Sequence, residues 1–278
     1  MSTPTAPTVK VKKSARTAPS TPVPQPGALR NQARLEIQTR QAQFLLDGRT
    51  GPRGIIGLLQ FARRLGDVCQ AVQQDDPYAD WMLLRVEESI AAAKAFVQEK
   101  NIATAKALNG LGAMKIELAR TREPAMVDLV FGTPYGFMGA YLLSEYDELA
   151  RSVLTAQHCA VFDRRQAGEL IRACGNAVRR VYQLPAAWRR TDITRDDVRQ
   201  GTDAAANAAQ LMGALPEAVL AMNRRAKFAP RITGKPDADS GRGSADHGNI
   251  NNSNTATTAS TSTSASASAS AKLTSLSD

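Results

Sequence analysis

The chain has 278 residues, and its 35 lysines and arginines outnumber its 26 aspartates and glutamates, which gives a formal net charge of +9. With only two histidines, catalytic mechanisms that need a histidine pair are disfavoured, and three cysteines without C-x-x-C spacing disfavour a structural zinc site. No uncharged stretch is long and apolar enough for a membrane span, and prolines interrupt the N-terminal region where a secretory signal needs an apolar core. We therefore predict a cytoplasmic protein that has no cofactor and no membrane partner.

Aromatic residues mark the predicted limits of the folded part, because all fourteen lie between Phe44 and Phe228. Residues 1–30 are rich in proline and carry five basic and no acidic side chains, which predicts a disordered basic arm. Residues 233–278 are rich in Ser, Thr, Ala and Asn, which predicts a disordered tail. Residues 31–232 remain, with a net charge of +5, and they are long enough to form one helical core domain.

The first predicted element is a strand over residues 33–40, where apolar Leu35 and Ile37 alternate with polar side chains. A period of two is typical of a half-buried strand. Ile37 and Phe44 would also share one face of a helix, so a helix remains an alternative here. After the glycine-rich turn, apolar residues at spacings of three and four predict an amphipathic helix over residues 55–72.

The next predicted helix begins at Pro77, because Asp76 before it is a good N-cap, and its apolar face continues to Val97. The apolar run at residues 126–131 is of the kind that forms a central strand. Thr and Pro then supply an N-cap and a first helical position, and an apolar stripe predicts a helix over residues 134–158.

Three further helices are predicted toward the C-terminus. Asp163 and Gln166 have the spacing of a capping box, and the helix that they begin is stopped by Pro185. Another helix is predicted from Thr194 to about Gly213, followed by a short one. The predicted architecture is mainly α-helical with a few short β-strands.

Enzyme signatures are missing from the sequence, which contains no G-x-x-x-x-G-K-[ST], H-E-x-x-H or G-x-S-x-G string. We therefore predict that the protein is not an enzyme. His158, Cys159 and Cys174 would form a metal site only if two helices turned all three inward. We interpret them as a helix-end histidine and two packed thiols, and we predict no metal site.

A first group of basic residues is a candidate for contacts with DNA phosphates. Arg49 and Arg53 belong to a glycine-rich run before a helix, whose free backbone N–H groups and dipole favour an anion. The alternative is an ordinary glycine turn. The basic arm adds further candidates for phosphate contacts, namely Lys10, Lys12, Lys13 and Arg16.

A second group is a candidate for contacts with DNA bases. Arg34, Gln38 and Arg40 lie on the polar face of the first predicted strand, and they could read base edges if two such strands paired as a ribbon in a major groove. The alternative is a solvated edge strand.

Two further basic clusters have ordinary structural explanations. Cations are favoured near helix C-termini by the helix dipole, and a charged exit from a domain is common. The two clusters are Arg179, Arg180, Arg189 and Arg190 near the end of one helix, and Arg224, Arg225, Lys227 and Arg231 after the last helix.

Two longer motifs carry a family resemblance: DDPYADWMLL at residues 75–84 and FGTPYGFMGAYLLSEYDEL at residues 131–149. With them, the chain resembles a family of accessory proteins of bacterial integrating conjugative elements, which is similar to the AcaB-type transcriptional regulators of conjugative plasmids. The likeness covers most of residues 31–232 and neither tail. It implies a ribbon-helix-helix unit inside the larger helical domain, in which two chains pair one strand each and insert that ribbon into the major groove.

Two segments have the order strand, helix, helix that this resemblance requires. The later one begins with the strand at residues 126–131 and has short connections, but Asp128 is the only polar side chain of that strand. The earlier one has suitable polar residues but is interrupted by the glycine-rich run. Both segments remain candidates for the ribbon.

Together, the basic residues and the resemblance predict a homodimer that binds double-stranded DNA and regulates conjugative-transfer genes of an integrating conjugative element. The alternative is a non-enzymatic helical adaptor that binds another protein of the conjugation machinery. A continuous basic face would favour the regulator, and an exposed aromatic patch with scattered arginines would favour the adaptor.

Overall fold

The computed structural model describes residues 33–49, 51, 54–110 and 114–233. The predicted arm, with the basic candidates Lys10, Lys12, Lys13 and Arg16, therefore lies outside the described residues, as do Arg53 and the predicted tail apart from its first residue, Thr233. In chain order the elements are β1 (Ala33–Ile37), α1 (Arg40–Asp47), α2 (Leu58–Gln73), α3 (Pro77–Asn109), β2 (Ala125–Leu129), α4 (Pro134–His158), α5 (Arg164–Gln183), α6 (Arg195–Gln200), α7 (Asp203–Met212) and α8 (Glu217–Leu220). The prediction of a mainly helical protein with a few short strands is confirmed.

The two strands pair with each other in a two-stranded antiparallel sheet, in a register that joins Ala33 to Leu129 and Ile37 to Ala125. The sequence offered these two segments as alternative ribbon strands, and the structure makes them partners within one chain. The prediction that the later segment is a central strand is wrong, because β2 has one neighbour and its Asp128 is exposed.

The first strand is shorter than predicted, because it ends at Ile37. Thr39 is the N-cap of α1, and its hydroxyl accepts a hydrogen bond from the backbone N–H of Ala42 at 3.2 Å. Such a cap satisfies a backbone donor that a helix leaves unpaired and thereby starts the helix. Gln38 therefore lies in a turn and Arg40 is the first residue of a helix, so neither lies on the strand as predicted.

The long helices α3 and α4 form the centre of a bundle, and α2 and α5 pack against both of them. Close approach between α2 and α4 requires Gly139, because a Cβ atom there would lie 2.8 Å from Cε1 of Phe61. The Tyr182 hydroxyl of α5 donates a hydrogen bond to the carbonyl oxygen of Gly139 at 2.9 Å. The rings of Phe61 and Tyr182 pack with centroids 4.9 Å apart, so this point joins three helices.

Most predicted helix starts are confirmed, including the Asp76 cap of α3 and the capping box of Asp163 with Gln166 at α5. The single helix predicted from Thr194 to Gly213 is instead two helices, because Gly201 adopts a left-handed conformation with φ of 66° and ends α6. A new N-cap then begins α7. No helix in the described ranges is both long and apolar enough to cross a membrane.

Candidate nucleic-acid interface

The outward face of the β1–β2 sheet carries Arg34, Glu36, Met126 and Asp128, all of them exposed. Arg34 pairs across the strands with Asp128, its Nε donating to Oδ1 at 2.8 Å. The face has one cation and two anions, hence a net charge of −1. Phosphate contacts need positive charge, so this face by itself is not an electrostatic docking surface for DNA.

Both the nitrogen and the oxygen of the Gln38 side-chain amide form hydrogen bonds within the chain. Its Nε2 donates to the carboxylate of Glu36, and its Oε1 accepts from the backbone N–H of Thr121 at 3.0 Å. A base contact from Gln38 would have to replace both hydrogen bonds. Arg40, in contrast, is exposed in the first turn of α1.

Asp147 holds the turn between β1 and α1, a role that the sequence did not indicate. Its carboxylate is 4 % exposed and accepts from the backbone N–H of Gln38 at 2.8 Å and of Thr39 at 2.9 Å, and from the Thr39 hydroxyl at 2.6 Å. The only signal in the sequence is an acidic residue beside Tyr146 in an apolar stripe, since a buried carboxylate has to be paired. Asp147 thus fixes the turn between β1, which carries Arg34, and α1, which begins at Arg40.

The glycine-rich turn is closed at its base by two backbone hydrogen bonds between Arg49 and Ile55, each 2.8 Å long. Gly48 has a φ of 69°, and a Cβ atom there would lie 2.5 Å from the backbone nitrogen of Gly57, which caps α2. Glycine is therefore required at the crossing of the two backbones. Arg49 is exposed beside this crossing, at the N-terminal side of α2.

Positive charge is concentrated in two other segments, each with a net charge of +4. On α5, one glutamate accompanies five arginines; residues 221–233 have four cations and no acidic residue. The α5 residues are Arg164, Arg165, Glu169, Arg172, Arg179 and Arg180. The cations of residues 221–233 are Arg224, Arg225, Lys227 and Arg231.

Acidic residues of α3 neutralise much of the charge of residues 221–233. Arg224 forms an ion pair with Glu88, and Nε of Arg225 lies 2.8 Å from Oδ2 of Asp80. Asp80 also pairs with Arg195, whose side chain is 1 % exposed, at 2.5 Å. The C-terminal segment is therefore fastened to the bundle by the partly buried pair of Arg225 with Asp80 and by the exposed pair of Arg224 with Glu88.

An apolar groove of about 710 Å³ lies between β1, the end of β2 and the first turns of α4. Phe131 and Phe137 meet edge to face inside it, with ring centroids 5.2 Å apart. Tyr141 and Phe228 also line the groove and are 63 % and 44 % exposed. The protein thus has an exposed aromatic patch as well as its basic segments.

The cysteines are reduced thiols, of which Cys69 and Cys174 are buried and Cys159 is half-buried. Burial raises the pKa of Cys69 and of Cys174 to about 11, because the thiolate loses its solvation. Among the described residues, no group of three or more His, Cys, Asp or Glu side chains is arranged to hold a metal ion.

Comparison with known proteins finds a matching family model and a similar solved structure. A family model described as "Transcriptional regulator AcaB" matches residues 25–233. Among solved structures, the crystal structure of selenomethionine-containing AcaB from uropathogenic E. coli is similar with a TM-score of 0.50, covering 72 % of this chain and 98 % of that chain at 13 % sequence identity. A search of curated proteins finds no match. At this identity the structural likeness is one of fold.

Proposed function

Because the chain belongs to the AcaB family of transcriptional regulators, a non-enzymatic class, we propose that it binds double-stranded DNA and controls conjugative-transfer genes of an integrating conjugative element. The observation that carries this proposal is the family match over residues 25–233, which includes every described element. The net charge of +9 supports it, since positive charge attracts a polyanion and speeds its association.

Base contacts are proposed for Arg34 and Arg40. The ion pair of Arg34 with Asp128 is exposed on both sides, and such pairs are worth about 0–1 kcal/mol. A bidentate arginine contact with guanine discriminates by about 1–3 kcal/mol, so DNA can replace the carboxylate as the partner of Arg34. Gln38 would have to give up two hydrogen bonds, and we rank it below the two arginines.

Phosphate contacts are proposed for Arg49 and Arg53 in the glycine-rich turn and for the basic residues of the N-terminal arm. The N-terminus of α2 follows this turn, and backbone N–H groups at a helix N-terminus favour an anion. Each phosphate contact should add about −0.9 to the slope of log affinity against log salt concentration.

We further propose a homodimer of the ribbon-helix-helix type. Since β2 occupies one edge of β1, a ribbon between two chains would use the opposite edge of β1, next to the exposed Arg34. Multi-angle light scattering of the purified full chain tests this directly. A mass of one chain at micromolar concentration would contradict the dimer.

Chromatin profiling of the tagged protein, in a cell that carries the element, tests the function. We expect enrichment upstream of conjugative-transfer genes, and a change in their transcription when the protein is deleted. An even distribution over the genome, with unchanged transcript levels after deletion, would contradict a regulatory role.

The aromatic groove favours a second candidate function, that of an adaptor for another protein of the conjugation machinery. Exposed apolar patches rimmed by polar residues are typical of protein-binding sites, and Tyr141 and Phe228 form such a patch. In a Tyr141→Ser variant, loss of a cross-linked transfer protein with retained promoter enrichment would assign the groove to that partner.

A further inference from the structure

We propose that the solvent-facing side of α5 is a phosphate-binding surface for duplex DNA, an assignment that rests on the proposed DNA-binding function. Neither the base-reading residues nor the glycine-rich turn belongs to this helix. The proposal adds a second contact surface, formed by one regular element, to the DNA-binding function.

The arginines of α5 lie in a stripe along the helix. Arg165, Arg172 and Arg179 are seven residues apart, which is close to two turns, so their Cα atoms lie on nearly the same side. The opposite side carries Cys174 and Val178, which are fully buried in the core. With a rise of 1.5 Å per residue the stripe is about 21 Å long, and along B-DNA this length corresponds to roughly six base pairs.

The charges of this stripe are largely not neutralised within the chain. Nε of Arg172 donates to the carbonyl oxygen of Gly168 at 3.0 Å, and Arg179 donates to the side-chain oxygen of Asn176 at 2.5 Å. Both acceptors are uncharged, so neither hydrogen bond neutralises its guanidinium group. Arg172 is exposed and Arg179 is half-buried. Arg165 lies 3.8 Å from the carboxylate of Glu169, in an exposed pair one helical turn apart.

The other strongly charged segment differs in this respect. Residues 221–233 have the same net charge as α5, but α3 supplies carboxylates to Arg224 and Arg225. The outward face of the sheet is net negative. Within the described part of the chain, α5 is therefore the segment where a high net positive charge coincides with exposure to solvent.

A duplex fits this stripe better than an acidic peptide does. A rigid helix with cations repeated about every 10.5 Å presents a straight row of charge, and the DNA backbone is a rigid polyanion with one charge per about 1.7 Å of axis. Arginine also binds phosphate through two parallel hydrogen bonds. An acidic peptide has no fixed spacing that would use the regular row.

The decisive experiment compares two triple variants of the full chain that lose the same charge. The stripe variant combines Arg165→Gln, Arg172→Gln and Arg179→Gln. The control variant combines Arg63→Gln, Lys106→Gln and Lys115→Gln, which are exposed on other segments. Binding to a 30-base-pair duplex of random sequence is measured by fluorescence anisotropy over a series of salt concentrations.

We expect the slope of log affinity against log salt to become about 2.7 less steep in the stripe variant, since three phosphate contacts are lost. Relative to 1 M salt, this corresponds at 0.1 M to a loss of roughly two to three orders of magnitude in affinity, while the control variant should stay within a few-fold of the wild type. Circular dichroism should be unchanged, because exposed or half-buried side chains are replaced by glutamine, which is also a good helix former. If the triple variant does not fold, Arg172→Gln alone should change the slope by about 0.9.

Equal slopes and affinities in the stripe and control variants would overturn the assignment of α5, while binding by the wild type would still support the proposed function. No binding of the wild type to any duplex at low salt would overturn the DNA-binding function itself. Polyglutamate at equal charge concentration serves as a competitor. Displacement as efficient as that by unlabelled duplex would assign the stripe to acidic proteins and overturn the DNA proposal.

Discussion

Helix α5 and residues 221–233 carry the same net charge, +4, but their arginines have different partners in the folded chain. In residues 221–233, Arg225 reaches a carboxylate that is fully buried, and Arg224 pairs with a glutamate of α3. On α5, Arg172 and Arg179 find only uncharged acceptors. Arg224 and Arg225 thus fasten the first segment to the bundle through ion pairs, whereas on α5 Arg172 is exposed and Arg179 is half-buried beside an uncharged acceptor.

This difference shows why a basic cluster in a sequence does not by itself identify a binding surface. Coulomb attraction between partly buried charges is strong. An arginine that folding brings next to a carboxylate is therefore less available to an external anion. Both clusters look alike in the sequence. The position of α3 decides which of the two clusters forms ion pairs within the chain and which one is available to an external partner.

The largest expected effect is on stability, at the buried end of the charge network. Asp80→Ala leaves the guanidinium of Arg195 without its most buried partner, and breaking a buried pair in this way costs about 3–5 kcal/mol. Urea denaturation followed by circular dichroism measures the free energy of unfolding. A loss below about 1 kcal/mol would show that residues 195–225 are not held by this network.

The next effect concerns DNA recognition at the sheet, a surface that is not basic. Arg34→Ala should weaken binding to the cognate site by about 1–3 kcal/mol and leave random DNA nearly unaffected. The α5 variants should weaken both kinds of DNA alike, because phosphate contacts carry no sequence information. Anisotropy titrations with the two duplexes separate these outcomes, and equal loss on both duplexes would remove Arg34 as a base-reading residue.

A smaller effect is expected at the exposed end of the same charge network. Arg224→Ala removes an ion pair whose side chains are 62 % and 50 % exposed, and such pairs contribute about 0–1 kcal/mol. Arg172→Gln on α5 should change stability by no more than about 0.5 kcal/mol, as for a surface site. Thermal melts of both variants beside Asp80→Ala test this order of effects. An Arg224 effect as large as that of Asp80 would contradict it.

The smallest effect is expected in a thiol-labelling experiment that examines the inner side of α5. Because burial raises the pKa of Cys174 to about 11, only roughly one thiol in a thousand is ionised at pH 8, and the side chain is shielded from reagents. Cys69 should behave in the same way, while raising the pH toward 11 should speed both reactions. The stripe variant should label Cys174 no faster than the wild type does. Faster labelling would mean that the substitutions had loosened α5. The effect on DNA binding would then have to be measured with the single variant Arg172→Gln instead.

Local features of the structure were predictable where neighbouring residues decide them. The capping box joins Asp163 to Gln166, which are three positions apart, and it forms as predicted. The prediction that the first strand continues to Arg40 was wrong. The strand ends at Ile37, because a carboxylate from a distant part of the chain binds the two residues that follow. Asp147 binds the backbone of Gln38 and Thr39 from 109 and 108 residues away. No local pattern contains that contact.

The candidate site, like the fold, was predictable from the sequence only in part. Its basic residues, its two strand segments and the family resemblance were evident from the sequence, and the predicted contacts of Arg34, Gln38, Arg40, Arg49 and Arg53 with DNA remain predictions. The pairing of Arg34 with Asp128 joins residues 94 positions apart, and it makes the outward face of the sheet net negative. That result depends on strand register, which side-chain alternation does not specify for two separate segments.

By itself, the sequence determined most of the helices, the approximate strand segments, the excess of positive charge and the family, because periodicity, capping and long motifs are encoded by residues near one another. The tertiary structure alone decided which strands pair, which arginines meet carboxylates and which stay exposed. The physical reason is that charge neutralisation acts through space over a few ångströms, whereas the partners are far apart along the chain, as are Arg34 and Asp128, 94 positions apart, and Arg225 and Asp80, 145 positions apart.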